Sequence, residues 1–183
     1  LTSDVGYLNV AAVKAANDML MRGFTSIRDL GGPVFGLKRG IDSGLVAGPR
    51  IWPAGAFISQ TGGHGDFRLP NELPAPPGSF SFSERVGAAA IADSADAVRQ
   101  RTREQLALGA SQIKLMAGGG VASNYDPLDV TQYTVAELSA AASPYLFPSR
   151  YCQSDRLSRL AWDLFGAIGN PHEKVVAICD WIH

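Results

Sequence analysis

The stretch Ser111-Gln-Ile-Lys-Leu-Met-Ala-Gly-Gly-Gly120 decides the fold. Side chains alternate across a β-strand, so Ile113 and Leu115 share one face while Gln112, Lys114 and Met116 take the other. The apolar pair belongs beneath a layer of helices, which sends Lys114 toward the interior of a curved sheet. A buried, unpaired ammonium is costly, so such a lysine must neutralise, pair or be modified. The competing reading is an edge lysine whose stem covers apolar surface while its ammonium reaches water. On strand pattern alone the two readings balance. The glycine triplet at 118–120 shifts the balance inward, because it lets backbone approach a ligand at the strand's C-terminal end.

Working outward, residues 94–108 predict a helix with Ala95, Val98, Thr102 and Leu106 roughly on one face and Gly109 as its stop. A Gly/Pro-rich loop from Gln60 to about Phe82 precedes it, and loops of that length are usually lids or binding loops. Residues 50–59 predict a strand and residues 34–43 a helix ended by Gly44. The turn Asp29-Leu-Gly-Gly-Pro33, a strand over 24–28 and a helix over 10–21 on Val13, Ala16, Leu20 and Met21 complete the upstream half. Downstream, Thr134-Val-Ala-Glu137 has capping-box form and opens another helix. This alternation predicts an α/β fold of about three parallel βα units.

No strand signal follows Met116, and the character changes at Ala142-Ser-Pro144. An amphipathic helix on Leu157, Leu160, Ala161, Leu164 and Phe165 opens at Ser154 and breaks at Gly166 and Gly169. Asn170-Pro171 then caps a second helix with Val175, Ile178, Cys179 and Ile182 as its stripe. Two domains are expected, 1–142 and 143–183, the second a pair of helices.

Composition narrows the function classes. Hydrophobic residues make up 46 % and charged ones 18 %, so the chain can bury a core. Sixteen Lys and Arg balance seventeen Asp and Glu, leaving no basic field for nucleic acid or an anionic membrane. No apolar run is long enough to span a bilayer, and no signal-peptide pattern opens the chain. Cys152 and Cys179 have no C-x-x-C partner, so a disulfide framework or cysteine zinc site is not expected and a reducing, cytoplasmic setting fits. The start at Leu1 and the end at His183 inside a helix both read as cut.

A second chemical cluster is Thr61-Gly-Gly-His-Gly-Asp66. A histidine among three glycines just after a strand is either an exposed turn imidazole or a substrate- or metal-contacting group at a sheet's mouth. Base rates for loops favour the turn. Arg28-Asp29, also after a strand, reads as a local ion pair tying its loop rather than a catalytic pair. The run Gly31-Gly-Pro-Val-Phe-Gly-Leu-Lys38 lacks the Gly-Lys-Ser/Thr ending of a phosphate loop. His172 is expected in solvent and Cys179 in a core.

At these residues the sequence resembles the metal-dependent amidohydrolases. The matching motifs are Gly23-Phe-Thr-Ser-Ile-Arg-Asp-Leu-Gly-Gly32, Gly48-Pro-Arg-Ile51, Thr61-Gly-Gly-His-Gly-Asp66 and Ile113-Lys-Leu-Met-Ala-Gly-Gly-Gly-Val121. The branch resembled contains imidazolonepropionase-like enzymes, prolidase-like dipeptidases and ochratoxin-hydrolysing amidases. The resemblance implies a (β/α)8 TIM-type barrel with a divalent two-metal centre, usually zinc, at its C-terminal mouth. It implies that Lys114 is the metal-site lysine, carboxylated to bridge both ions, and that His64 lies near a small, dipeptide-like or N-acyl amino acid substrate. The implied chemistry is amide hydrolysis by a metal-activated water, with a last-strand carboxylate moving the proton.

Against that pattern, the family's His-x-His pair belongs upstream of Leu1, and its later histidines and aspartate belong beyond the helix opened by Thr134. The expectation is a partial barrel of about three of the eight strands, inactive alone and able to associate through exposed strand edges. The stretch from Ser143 to Leu157, with Ala177 to His183, is similar to the start of bacterial transglutaminase-like proteins. Neither Cys152 nor Cys179 matches that family's nucleophile. The rival expectations are a non-catalytic fusion or truncated product and a transglutaminase-like fragment.

Overall fold

The computed structural model describes residues 4–69, 72, 78–120, 126–145, 154–170, 173, 174, 176, 177 and 180. The chain divides into two compact units, Leu1–Ala141 and Ala142–His183. The first is an α/β unit whose strands form two two-stranded parallel sheets that do not close among the described residues, a partial TIM-barrel-like arrangement; the second is helical.

Helix α1 (Val5–Met21) starts five residues before the apolar periodicity predicts, because Asp4 caps it by accepting the Tyr7 amide at 2.9 Å. Its inner stripe is Val13, Ala16 and Leu20, while Met21 turns out to solvent. Strand β1 (Ser26–Arg28) pairs in parallel with β2 (Arg50–Trp52), and α2 (Phe35–Asp42) is the crossover between them. Strand β3 (Phe57–Ser59) pairs in parallel with β4 (Ala89–Ile91).

The single strand expected over 50–59 is therefore two. Pro53 lacks an amide to donate, and Gly55 takes the left-handed backbone (φ 73°) that a side chain resists. A Cβ on Gly55 would also collide with Gln105 and Phe35. The third expected strand, 111–116, is an extended segment joined to β3 by one parallel bridge, Ile58 to Leu115. The Ile58 amide donates to the Lys114 carbonyl at 2.8 Å and the Met116 amide to the Ile58 carbonyl at 2.9 Å. Sequence reading missed β4 altogether. Its Ala89-Ala-Ile91 carries weak strand propensity, and it becomes a strand through its parallel pairing with β3, with Ala88, Ala89, Ala90 and Ala92 all buried.

Helix α3 (Phe82–Arg85), also unforeseen, opens the chain into β4 with a full capping box between Ser81 and Glu84. Helix α4 (Ala95–Ala107) lies where it was expected and is capped by Ser94, yet it buries Val98, Thr102 and Gln105 rather than Leu106. Thr134 and Glu137 close the expected box at the start of α5 (Val135–Ala142). The core joins Ala56, Ile58, Ala90, Ala92, Val98, Tyr133, Ala140 and Ala141. Within it the Tyr133 hydroxyl donates to the Ala92 carbonyl at 3.0 Å, and burial pushes the phenol's pKa up.

In the second unit a 3-10 turn (Ser143–Tyr145) and helix α6 (Ser154–Phe165) are described. The stripe residues Leu160 and Leu164 are exposed, as is Trp162. Backbone at 173, 174, 176, 177 and 180 is helical, but Val175, Ile178, Cys179 and Ile182 lie outside the described residues. No described helix is long and apolar enough to cross a membrane.

Candidate functional site

In the first unit the loop after β3 meets the loop after the Lys114 segment. Because the two run parallel, both loops leave the same, C-terminal, end of the sheet. Ser59, fully buried at the end of β3, accepts the Gly65 amide through its hydroxyl at 2.9 Å and folds the glycine loop back. Thr61 is tied to Asp93 by its amide and hydroxyl, both at 2.7 Å. Asp66 accepts the Gly62 amide at 2.7 Å and pairs with Arg68. Burial raises the Asp66 carboxyl's pKa, but the Arg68 hydrogen bond, the Gly62 amide and the Arg68 charge outweigh it, so it lies below the usual carboxylate range.

This loop delivers His64. Its backbone amide donates to Gln132 Oε1 at 3.1 Å, and its Nδ1 lies 3.3 Å from Asp126 Oδ2. The Asp126 side chain is 3 % exposed and also accepts the Gly120 amide at 3.1 Å and Gln132 Nε2 at 3.2 Å. Gly120 is required here, because a Cβ on it would overlap the His64 ring. The bland expectation of a solvent-exposed turn is corrected: the imidazole is held against a second loop, with only 24 % of its side chain exposed.

Lys114 lies half-buried on the extended segment. Ile113 and Leu115 pack against the core, so the period of two turns Lys114 to the other face. No ion pair or hydrogen bond of its ammonium occurs among the described residues. Nor does any group of three His, Cys, Asp or Glu side chains able to hold a metal. A zinc site needs three or four ligands, so these residues do not by themselves fit a metal centre.

Arg28 and Asp29 do not form the expected ion pair. Arg28 Nε donates to Gln112 Oε1 at 2.6 Å, while Asp29 Oδ2 accepts the Ala54 amide at 3.3 Å. Burial pushes the Asp29 carboxyl's pKa up despite the amides of Ala54, Gly31 and Gly55 that lower it. The pair ties its loop through backbone and Gln112 instead. Gln112 Nε2 donates to the Asp29 carbonyl at 2.8 Å.

Sequence reasoning missed Asp126 and Gln132. Asp126-Pro127 is a turn signal and Gln132 carries no signal at all. Cys152, Cys179 and His172 lie outside the described residues. Hollows of about 340 Å³ beside Arg101 and Glu84, about 490 Å³ among Leu8, Met19, Ile27 and Leu37, and about 630 Å³ beside Lys38 and Arg39 include neither His64 nor Lys114. Size does not mark the chemistry here; the convergence of polar groups does.

A model of the amidohydrolase family matches residues 3–144. Ochratoxinase from Aspergillus niger is 37 % identical over 130 residues, covering 66 % of this chain and 26 % of the relative. The chain thus spans about a quarter of the length of the curated relative it matches. A prolidase crystallised with N-methylphosphonate-L-proline is 44 % identical with a TM-score of 0.71, over 78 % of this chain and 34 % of that one. A Xaa-Pro dipeptidase with methionine in its active site is 30 % identical with a TM-score of 0.62, over 76 % and 34 %.

Proposed function

The chain belongs to the amidohydrolase family, and from that premise we propose that it is part of an amide hydrolase acting on small peptide-like or N-acyl amino acid substrates. In this reading His64 contacts the substrate and Lys114 is the metal-site lysine. The observation that carries it is the meeting of the two loops: His64, after β3, rests against Gly120, six residues beyond Lys114 on the neighbouring segment. Ligands and catalytic groups of β/α barrels collect at that end. Prolidase and Xaa-Pro dipeptidase among the similar structures support a peptide-like substrate class.

Carboxylation would turn the Lys114 ammonium into an anion able to hold divalent cations, zinc in the family resembled. One such ligand does not complete a centre, so residues 1–183 alone are read as inactive. The 143–183 stretch is read as a separate helical piece, similar to the start of transglutaminase-like proteins.

A chimera tests the reading. Residues 3–144 replace the matched stretch of the prolidase, which contributes the remaining ligands. The chimera is expected to take up zinc and hydrolyse Xaa-Pro dipeptides, and Lys114→Ala is expected to abolish both. The unmodified chain is expected to do neither. Near-stoichiometric zinc with hydrolysis by the unmodified chain, or a zinc-loaded chimera indifferent to Lys114→Ala, overturns it.

A further inference from the structure

We propose that Asp126 is the positioning residue of this site, holding the His64 imidazole in its Nδ1–H tautomer and leaving Nε2 to meet the ligand. The inference rests on the reading of His64 as the substrate-contacting group, but its test needs no turnover.

The hydrogen bonds fix the atoms in turn. The His64 backbone N–H needs an acceptor, so Gln132 presents Oε1 to it and its NH2 to Asp126. Asp126 Oδ2 thereby accepts from Gln132 Nε2 and from the Gly120 amide, as an ionised carboxylate does. The third group against that oxygen is His64 Nδ1 at 3.3 Å. An unprotonated Nδ1 would set its lone pair against the carboxylate; a protonated one completes the donor set. Nδ1 and Asp126 Oδ1 are both buried without a hydrogen-bond partner among the described residues. Such contacts are long in a free site and tighten when ligand is bound. Nδ1 is cut off from solvent while the side chain keeps 24 % exposure, so the ring meets its surroundings through another edge.

Other charged groups nearby are engaged elsewhere: Asp66 by Arg68, and Asp93 by Thr61. Lys114 makes no ion pair with this cluster among the described residues. A carboxylate behind a histidine fixes tautomer and orientation and raises the basicity of the far nitrogen. His64 then presents Nε2 as an acceptor when neutral and as a donor when protonated.

The test is imidazole proton–nitrogen correlation NMR on the full chain, with His64 identified by the signals lost in His64→Asn. Wild type is expected to show Nδ1–H in the neutral ring, whereas free histidine favours Nε2–H. Asp126→Ala is expected to return His64 to Nε2–H, and Asp126→Glu to retain part of the Nδ1–H form. Where Asp126→Ala does not fold, Asp126→Asn keeps an acceptor and removes the charge. It is expected to lower the share of the Nδ1–H form without abolishing it. An Nε2–H wild type, or a His64 tautomer unmoved by these variants, overturns the proposal. A purely structural Asp126 would change melting but leave the tautomer alone. A chimera that fails to hydrolyse, with the tautomer intact, sinks the proposed function and spares the coupling; the reverse outcome sinks the coupling alone.

Discussion

Replacing Gln105 by leucine would keep its bulk but remove the oxygen that accepts the buried Ala56 amide at 2.9 Å. An orphaned buried donor costs about 1–3 kcal/mol, so Gln105→Leu is expected to lower stability by that amount in denaturant unfolding. A loss below about 0.5 kcal/mol would show that the amide finds another partner. Gly120→Ala acts at the site itself: its methyl group would displace the His64 ring, so the His64 imidazole signals are expected to shift while α4 and α5 stay native. An unmoved His64 would refute that contact. Asp66 adds a pH dependence. Its folded pKa is depressed, so its contribution is present above the unfolded value of about 3.9 and lost as pH falls through the folded value. Asp66→Asn is therefore expected to be less stable than wild type at pH 7, with the gap closing on acidification below about pH 4. A gap independent of pH would contradict the assignment.

At the scale of elements, most helices were legible, though not α3 or the true start of α1, and the strands only partly so. Caps and apolar periodicity act within a few residues, which is why Ser94 and Thr134 announce α4 and α5 without tertiary information. Thr134→Ala removes the hydroxyl that accepts the Glu137 amide at 3.4 Å and the group that helps depress the Glu137 carboxyl. It is expected to cost about 1 kcal/mol by thermal or denaturant melting, because α5 carries Ala140 and Ala141 into the core. A variant as stable as wild type would show that the cap is dispensable. Strand β4 was illegible for the opposite reason: its alanines become a strand only where β3 offers them hydrogen bonds. The helical stripe on α4 was misjudged by one position, since Gln105 was wanted inside for its polar oxygen.

For the whole molecule, the sheet stays open. Thr25 accepts from Arg50 and Asp29 donates to Trp52, so the backbone groups of Ser26 and Arg28 point away from β2. β1 pairs with no second strand among the described residues. Open edges template association. The purified chain is expected to run above its monomer mass of 19.4 kDa in size-exclusion chromatography at micromolar concentration. Ser26→Pro, which removes an edge amide and spares the β1–β2 bonds, is expected to reduce that association. A clean, cooperatively melting monomer would show the edges to be otherwise protected.

The sequence by itself determined the βα alternation, the starts of α2, α4, α5 and α6 to within a residue, the family resemblance and the two residues singled out, His64 and Lys114. All of these follow from near-neighbour spacing or from short motifs. Tertiary structure alone decided the split of the 50–59 strand, the existence of β4, and the surroundings of His64. Gln132 lies 68 residues from His64 in the chain. No local rule couples such positions; the parallel pairing of β3 with the Lys114 segment does, by bringing both loops to one end of the sheet.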